Sequence, residues 1–272
     1  MHYGVSTQII SHHDLESALR RIAEAGFTQI EISTEPPHFY PGTFDPDIVR
    51  GWLGELGLHA PVGHGLYSHA SPNAAALDEA DRHRSVQFIR RCFEPLVAIG
   101  VDIVVLHPTG YAKDYVPQHR QRHVEQAQRS MEELAHAAGD LGLCIAWENL
   151  PHHGTERPLH DMRELRQLIE EMPPHVGLCL DTTHTTISGH DPVEQAQYAG
   201  DRLFCLHLHD TDGQHDCHWV PGCGITDWPA FLEQLDAMDF RGPRTLEVIS
   251  NPETEADTLA KTVEVARQWG NP

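Results

Sequence analysis

The sequence contains few positively charged residues. Lys and Arg together number 19 against 40 Asp and Glu, which gives a formal net charge of −21, and the lysines are Lys113 and Lys261 alone. Contacts to phosphates dominate the affinity of proteins for nucleic acids, so a nucleic-acid-binding surface needs a patch or stripe of basic side chains. The sequence has no such stripe, which argues against a nucleic acid as the partner.

Long apolar runs are also absent. A membrane-spanning helix needs about 20 consecutive apolar residues, and no segment of the sequence approaches this length. The first residues, MHYGVSTQII, lack the basic start and the long apolar stretch of a signal peptide. We therefore expect a cytoplasmic protein that does not associate with a membrane.

The six cysteines are scattered, and no two of them form a CxxC pair. This distribution argues against a thiolate zinc site and against a disulfide framework, and it favours reduced thiols that are buried in apolar segments. Cys217 and Cys223 differ from the others, because they lie in a polar loop where a thiol can be reactive.

The sequence does contain a regular alternation of short β-rich runs and longer amphipathic stretches. Eight such pairs follow one another, and 272 residues is close to the ~250 residues that are typical of a (β/α)8 barrel. We predict an α/β fold, a single (β/α)8 TIM barrel over residues 1–272 with its active site at the carboxyl-terminal face of the strands; a doubly wound open sheet is the alternative. The predicted strands are Tyr3–Ser6, Phe27–Ser33, Leu58–His64, Val101–His107, Leu143–Glu148, Val176–Asp181, Leu203–Leu208 and Arg244–Ser250. The predicted helices cover residues 14–25, 45–56, 74–98, 118–141, 160–171, 192–198, 228–237 and 255–269.

The segment LFCLHLHDTDGQHDCHWVPGCG carries the strongest chemical signal. Its apolar run ends in His207 and His209, and Asp216 and His218 follow in the next loop. Residues i and i+2 of an extended segment point to the same side, so Asp216 and His218 can chelate one cation together. Imidazole nitrogen and carboxylate oxygen suit zinc, manganese, iron or cobalt.

Residues of the same kinds recur at the ends of other predicted strands. Six consecutive strands, from the third to the eighth, carry a His, Asp or Glu at or near the carboxyl end. These ends meet on one face of a (β/α)8 barrel, so the side chains should converge. Converging carboxylates repel one another unless cations lie between them, which favours a metal site. The residues are His64, His107, Glu148, Asp181, His207 and Glu247, with His184, Asp216 and His218 from adjoining loops.

The motifs VVLHPTG, IAWENLP, CLDTTH and HLHDTDGQHDCHWVPGCG resemble those of the xylose-isomerase-like TIM-barrel superfamily, over essentially the whole barrel. This superfamily holds sugar and sugar-phosphate isomerases and epimerases together with apurinic endonucleases of the endonuclease IV type. The resemblance implies that Glu148, Asp181, His207 and Glu247 hold one divalent metal ion. The further ligands that build a trinuclear zinc cluster in the endonuclease branch match His64, His107, His184, Asp216 and His218.

The sequence departs from both branches. Ketohexose epimerases of the tagatose or psicose type have a substrate-binding Glu and Arg where this chain has Gly154 and Gly213, although His184 matches a substrate-contacting histidine. We assign His184 and His209 to substrate binding. The first loops lack the basic and intercalating residues of the endonuclease branch, and the net charge of −21 is unfavourable for a DNA surface.

These observations predict a divalent-metal-dependent isomerase or epimerase of a small sugar or sugar phosphate. One of Glu148 and Glu247 removes a proton beside the substrate carbonyl, and the other returns a proton. The alternative is a phosphoesterase of the endonuclease IV type, in which two or three ions generate a hydroxide that attacks a phosphate ester. We expect one to three ions of zinc, manganese, iron or cobalt, and a homo-oligomer is compatible with the sequence.

The second set of ligands separates the two functions. We expect at least one further ion, held through Asp216 and His218; alternatively, these donors hold the hydroxyl groups of a sugar by hydrogen bonds. Three carboxylates around one dication leave a net negative charge, which suits a neutral sugar. Four carboxylates around three dications leave a net positive charge, which suits a phosphate.

Overall fold

Eight parallel strands form the centre of the molecule in the computed structural model. They pair in chain order, and the last strand pairs with the first, so the sheet closes into a barrel. The predicted (β/α)8 barrel is therefore confirmed, and the open doubly wound sheet is excluded. The strands are β1 Tyr3–Ser6, β2 Gln29–Ser33, β3 His59–His64, β4 Ile103–Leu106, β5 Cys144–Glu148, β6 Val176–Asp181, β7 Leu203–Leu208 and β8 Arg244–Leu246. The structure describes residues 3–39, 42, 44–65, 73–110, 115, 117–152 and 157–270.

Amphipathic helices connect the strands. In the first of them, the Asp14 carboxylate accepts a hydrogen bond from the backbone N–H of Ser17 at 2.8 Å, and Gly26 ends the helix with φ of 102°. A side-chain cap and a left-handed glycine are the usual start and stop of a helix. The α-helices of the described residues are α1 Leu15–Ala25, α2 Pro46–Leu56, α3 Glu79–Arg90, α4 Phe93–Ala98, α5 Arg120–Gly139, α6 Met162–Leu168, α7 Thr182–Ile187, α8 Pro192–Ala199, α9 Trp228–Ala237 and α10 Glu255–Trp269.

The long helix predicted over residues 74–98 is two shorter helices, α3 and α4. Asp78 caps the start of α3 by accepting from the N–H of Asp81 at 3.0 Å. The break between α3 and α4 leaves Pro95 in the first turn of α4, where its missing N–H costs nothing. A continuous helix would have placed this proline in an interior turn.

Two differences lie at the carboxyl-terminal face. The helix α7 lies outside the predicted helices, and its run of threonines has low helix propensity. It forms because the Asp181 carboxylate accepts the N–H of His184 at 2.7 Å and caps its first turn. The strand β8 ends at Leu246 instead of Ser250, so Glu247 follows the strand directly.

The barrel interior and its outer layer have separate cores. A large cluster contains both outward-facing strand residues, such as Ile32 and Leu180, and helix residues, such as Leu19 and Leu165. A small cluster takes one residue from each of five neighbouring strands, and these residues alternate with those of the large cluster, so they fill the interior. Its members are Val62, Val105, Ala146, Cys179 and Cys205. Among the described residues, no helix is both long and apolar enough to cross a membrane.

Candidate metal centre

The structure brings the six predicted strand-end residues to one rim of the barrel. His64, Glu148 and Asp181 are the last residues of β3, β5 and β6, and His107 and Glu247 directly follow β4 and β8. His207 is the penultimate residue of β7, and its neighbour in register is Asp181. All are buried except His107, whose side chain is 20% exposed and therefore marks the open side of the rim.

Four of these residues form one compact set of ligands. Glu148, Asp181, His207 and Glu247 each offer one ligand atom, and these atoms lie within 4.8 Å of one another. Nδ1 of His207 lies 3.5 Å from Oε1 of Glu148 and 3.4 Å from Oε2 of Glu247. Metal–ligand bonds of about 2.0–2.2 Å place the ligand atoms of a tetrahedral site about 3.3–3.6 Å apart. Nδ1 of His207 is also buried without a hydrogen-bond partner, so the four residues fit a divalent cation.

Glu31 on β2 orients His207, although it belongs to none of the motifs of the sequence. Oε2 of Glu31 lies 3.0 Å from Nε2 of His207 and accepts a hydrogen bond from the hydroxyl of Thr245 at 3.1 Å. A carboxylate on one ring nitrogen fixes the tautomer and leaves the other nitrogen to bind a metal. Glu31 is fully buried. Its signal in the sequence is a charged residue between the two isoleucines of the QIEIS strand.

His64 and His107 form a second grouping with Glu148. Their Nε2 atoms lie 3.3 and 3.1 Å from Oε2 of Glu148. Glu148 therefore faces these two histidines with Oε2 and faces His207 with Oε1. A carboxylate that offers one oxygen to each of two ligand sets is able to bridge two ions.

His184, Asp216 and His218 form a third grouping. Nε2 of His184 lies 3.2 Å from Oδ2 of Asp216, and Nε2 of His218 lies 3.5 Å from Oδ1 of the same carboxylate. Nδ1 of His184 lies 3.1 Å from Oε1 of Glu148, so this grouping adjoins the first. All nine residues expected from the sequence thus lie together; their roles as metal ligands stay predictions.

His209 directly follows β7 and lies next to this rim. Its ring stacks on that of His218 with 4.1 Å between centroids, and its Nε2 lies 2.8 Å from Oδ2 of Asp181. The side chain is fully buried. This placement favours orientation of Asp181 over direct contact with a substrate, and the predicted substrate-binding role stays a prediction.

Asp210 holds the loop that carries Asp216 and His218. Its carboxylate accepts hydrogen bonds from the N–H of Gly222 at 2.8 Å and from Nε1 of Trp228 at 3.0 Å. A Cβ on Gly224 would lie 2.4 Å from this carboxylate, which is why a glycine follows the turn. The loop is thereby pinned to the end of β7.

The electrostatic environment separates the two glutamates of the first grouping. Burial alone would raise the pKa of Glu148, but the charges of His207 and His107 hold it well below its usual value. Burial raises the pKa of Glu247, and the opposing charges of His207 and His218 do not cancel this effect. One carboxylate therefore favours its ionised form, whereas its neighbour favours the protonated form more than usual.

Neighbouring carboxylates raise the pKa values of three histidines of the site. Burial opposes protonation of His218, but Asp216 raises its pKa to about 9. The pKa values of His184 and His207 are raised for the same kind of reason, by Asp181 and Glu247 respectively. Because a metal ligand must be unprotonated, an ion that binds here displaces protons.

Comparison with known proteins agrees with the barrel fold. The family model described as xylose isomerase-like TIM barrel matches residues 19–269. The L-ribulose 3-epimerase of Methylomonas sp. (strain DH-1) is 27% identical over 235 residues, which cover 86% of this chain and 78% of the relative. The probable endonuclease 4 of Citrifermentans bemidjiense is 24% identical over 266 residues, which cover 90% of both chains.

Among solved structures, a D-tagatose 3-epimerase-like protein superimposes with a TM-score of 0.86 at 22% identity, covering 99% of this chain and 97% of the other. This similarity shows the fold. Sugar 3-epimerases are thus among the relatives of the chain, and so is an endonuclease. Since the family model spans nearly the whole barrel, the chain belongs to the xylose isomerase-like TIM barrel family.

Proposed function

We propose that this chain is a divalent-metal-dependent isomerase or epimerase of a small sugar or sugar phosphate, in which Glu148 and Glu247 transfer the proton. The observation that carries this proposal is that the two carboxylates lie close to the same ring nitrogen of His207. Oε1 of Glu148 and Oε2 of Glu247 lie 3.5 and 3.4 Å from Nδ1 of His207. The sugar 3-epimerases among the relatives support the same chemistry.

A divalent cation held by Glu148, Asp181, His207 and Glu247 would polarise a substrate carbonyl and acidify the neighbouring C–H. Glu148 would accept the proton from that carbon, so that the C–H electron pair forms the carbon–carbon double bond of an enediolate and the carbonyl π pair moves to oxygen. Glu247 would give a proton back. Return to the opposite face of the same carbon yields an epimer, and return to the neighbouring carbon yields an isomer. Proton exchange with solvent then resets both carboxyl groups.

His184 is our candidate for substrate contact. Its Nδ1 is held by the backbone carbonyl of Asn149 at 3.0 Å, and its Nε2 faces Asp216. A fixed imidazole beside the proton-transfer pair is suited to bind a substrate hydroxyl. Gly154, where the tagatose-type enzymes have a substrate-binding glutamate, lies outside the described residues.

A second function, hydrolysis of a phosphate ester, is favoured by one specific observation. Glu148 offers its two oxygens to two ligand groupings, and the His184–Asp216–His218 grouping adjoins them. Three ions in these positions would leave a net positive charge, which suits a phosphate, and could supply a hydroxide. The probable endonuclease 4 among the relatives supports this alternative. The net charge of −21 favours a small ester over DNA.

The experiment that separates the two functions measures metal content and turnover on the same sample. Protein purified without added metal or chelator is analysed for its elements and then assayed on ketoses, ketose phosphates and simple phosphate esters. We expect a sugar to be epimerised or isomerised, and we expect Glu247→Gln to lose this activity while it retains the fold. Phosphate release by a protein with two or three ions, without any conversion of a sugar, would reverse the order of the two functions.

A further inference from the structure

A cluster of His12, His13 and Glu255 stands apart from the centre described above. The other groupings of possible ligands share Glu148, His207 or Glu247 with one another and merge into one centre. This cluster shares no residue with them, yet its three ligand atoms also lie within 4.8 Å of one another. It therefore needs its own explanation.

The cluster connects the first and the last βα units of the chain. His12 and His13 follow the 3-10 helix Thr7–Ile10 behind β1, and Glu255 begins α10 behind β8. The strands β1 and β8 close the barrel, and the backbone N–H of Ser250 donates to the carbonyl of Ile9 at 3.1 Å just above that seam. The ligands thus come from the first and last βα units.

The contacts converge on one carboxylate oxygen. Nε2 of His12 and Nε2 of His13 lie 2.7 and 2.9 Å from Oε2 of Glu255. The other oxygen, Oε1, accepts a hydrogen bond from Arg21 on α1 at 2.7 Å. This second contact fixes the carboxylate in the way that outer hydrogen bonds fix metal-ligating carboxylates. Burial opposes ionisation of Glu255, but the bonds from His12 and His13 keep its pKa low.

We propose that His12, His13 and Glu255 form a separate binding site for a divalent transition-metal ion of the zinc type, which ties the first and last βα units together. Two imidazoles and one carboxylate suit zinc, nickel or cobalt better than magnesium or calcium. The three protein ligands leave one tetrahedral position for water. The side chains of His12 and His13 are 20% and 27% exposed, so an ion reaches the site from solvent.

The ligands need a small adjustment to admit the ion. Tetrahedral zinc places its ligand atoms about 3.3 Å apart, so each imidazole moves outward by about half an ångström. Both rings already face solvent on one side, and the movement does not disturb Glu255, which Arg21 holds. Each imidazole binds the ion through Nε2 and keeps its ring proton on Nδ1, because a nitrogen that binds a metal must be unprotonated.

The test is a titration of the full-length, chelator-treated protein with Zn²⁺ and, as an optical probe, with Co²⁺. The variants are His12→Ala/His13→Ala and Glu255→Gln, and the matched control is His136→Ala, which removes an exposed histidine on α5. We expect both site variants to bind one equivalent fewer than the wild-type protein and the control, with unchanged turnover of any sugar substrate. The site also predicts an anomalous-scattering peak between His12 and His13 in zinc-soaked crystals.

Equal stoichiometry in the wild-type protein and a folded Glu255→Gln variant overturns the proposal, and so does binding only at concentrations at which any surface histidine binds. Glu255→Gln keeps the size of the side chain, so it answers the question even if the double variant fails to fold. Because the readout is a count of ions at residues outside the catalytic centre, the result is independent of whether the protein is an epimerase.

Discussion

Two adjacent layers of the barrel interior differ completely in chemistry. The small interior cluster forms the lower layer, and each of its residues precedes a rim residue by two positions in the sequence, as Val62 precedes His64 and Cys179 precedes Asp181. Successive residues of a strand alternate between faces, so both members of each pair point into the barrel. The remaining pairs are Val105 with His107, Ala146 with Glu148, and Cys205 with His207.

The rim can hold ionisable groups because each of them has a partner. A buried carboxylate is costly unless it is paired or binds a cation. The residues of the lower layer are apolar and buried, and the ionisable residues lie next to this layer together with their hydrogen-bonding partners. The lower layer should therefore determine stability, whereas the rim should determine metal binding and turnover.

The largest effect should come from the rim residue Asp181. Asp181→Asn removes a charged ligand but keeps an oxygen that can cap α7, so the fold should survive. We expect metal affinity at the Glu148–Asp181–His207–Glu247 set to fall by more than about 100-fold, the upper end of the loss seen for outer-sphere partners. Titration of apo protein with a divalent metal measures this. An Asp181→Asn protein with full metal content and activity would show that the set is wrongly assigned.

An intermediate effect should come from Glu31, which reaches the rim through His207. Glu31→Gln can still contact Nε2 of His207 but no longer holds it by charge, so metal affinity should fall by about 10–100-fold. Thr245→Val removes only the hydroxyl that donates to Glu31 and should have a smaller effect in the same direction. Unchanged affinity in Glu31→Gln would mean that His207 needs no orienting partner.

Substitution in the lower layer should reduce stability without reducing metal binding. Val105→Ala leaves a cavity beneath His107 and should lower the free energy of unfolding by about 1–3 kcal/mol. Metal stoichiometry should stay the same, because no ligand is removed. Chemical denaturation of the apo protein and metal titration of the variant check the two halves of this expectation, and loss of the ion without loss of stability would contradict it.

The smallest effect should be a dependence on pH. The folded pKa of His218 is raised to about 9 from an ordinary value of 6.5. Its contribution to the stability of the apo protein is therefore fully present below pH 6.5 and is lost as the pH rises through about 9. Metal affinity should increase over the same interval, since fewer protons are displaced. Denaturation and metal titration between pH 6 and about pH 9.5 should thus give opposite trends, and His218→Ala should flatten the stability profile.

The residues of the rim could be predicted from the sequence, but the residues that orient them could not. His64, Glu148 and Asp181 each end an apolar run, so the barrel topology alone brings them together. Glu31 ends no run, and nothing local shows that it faces His207 across the barrel, because that contact spans 176 positions. In the same way, α7 depends on the Asp181 cap and not on the propensity of its threonines.

Glu148 and Glu247 are proposed to exchange a substrate proton at the rim. The most direct test incubates metal-loaded protein with ketoses and ketose phosphates in D₂O and follows the hydrogen beside the carbonyl by NMR. We predict that deuterium enters this position in the wild-type protein and in Val105→Ala, and that it does not enter with Glu148→Gln or Glu247→Gln. Incorporation of deuterium that persists in both glutamine variants would contradict proton transfer by Glu148 and Glu247. So would the absence of deuterium from every sugar in a metal-loaded protein that hydrolyses phosphate esters.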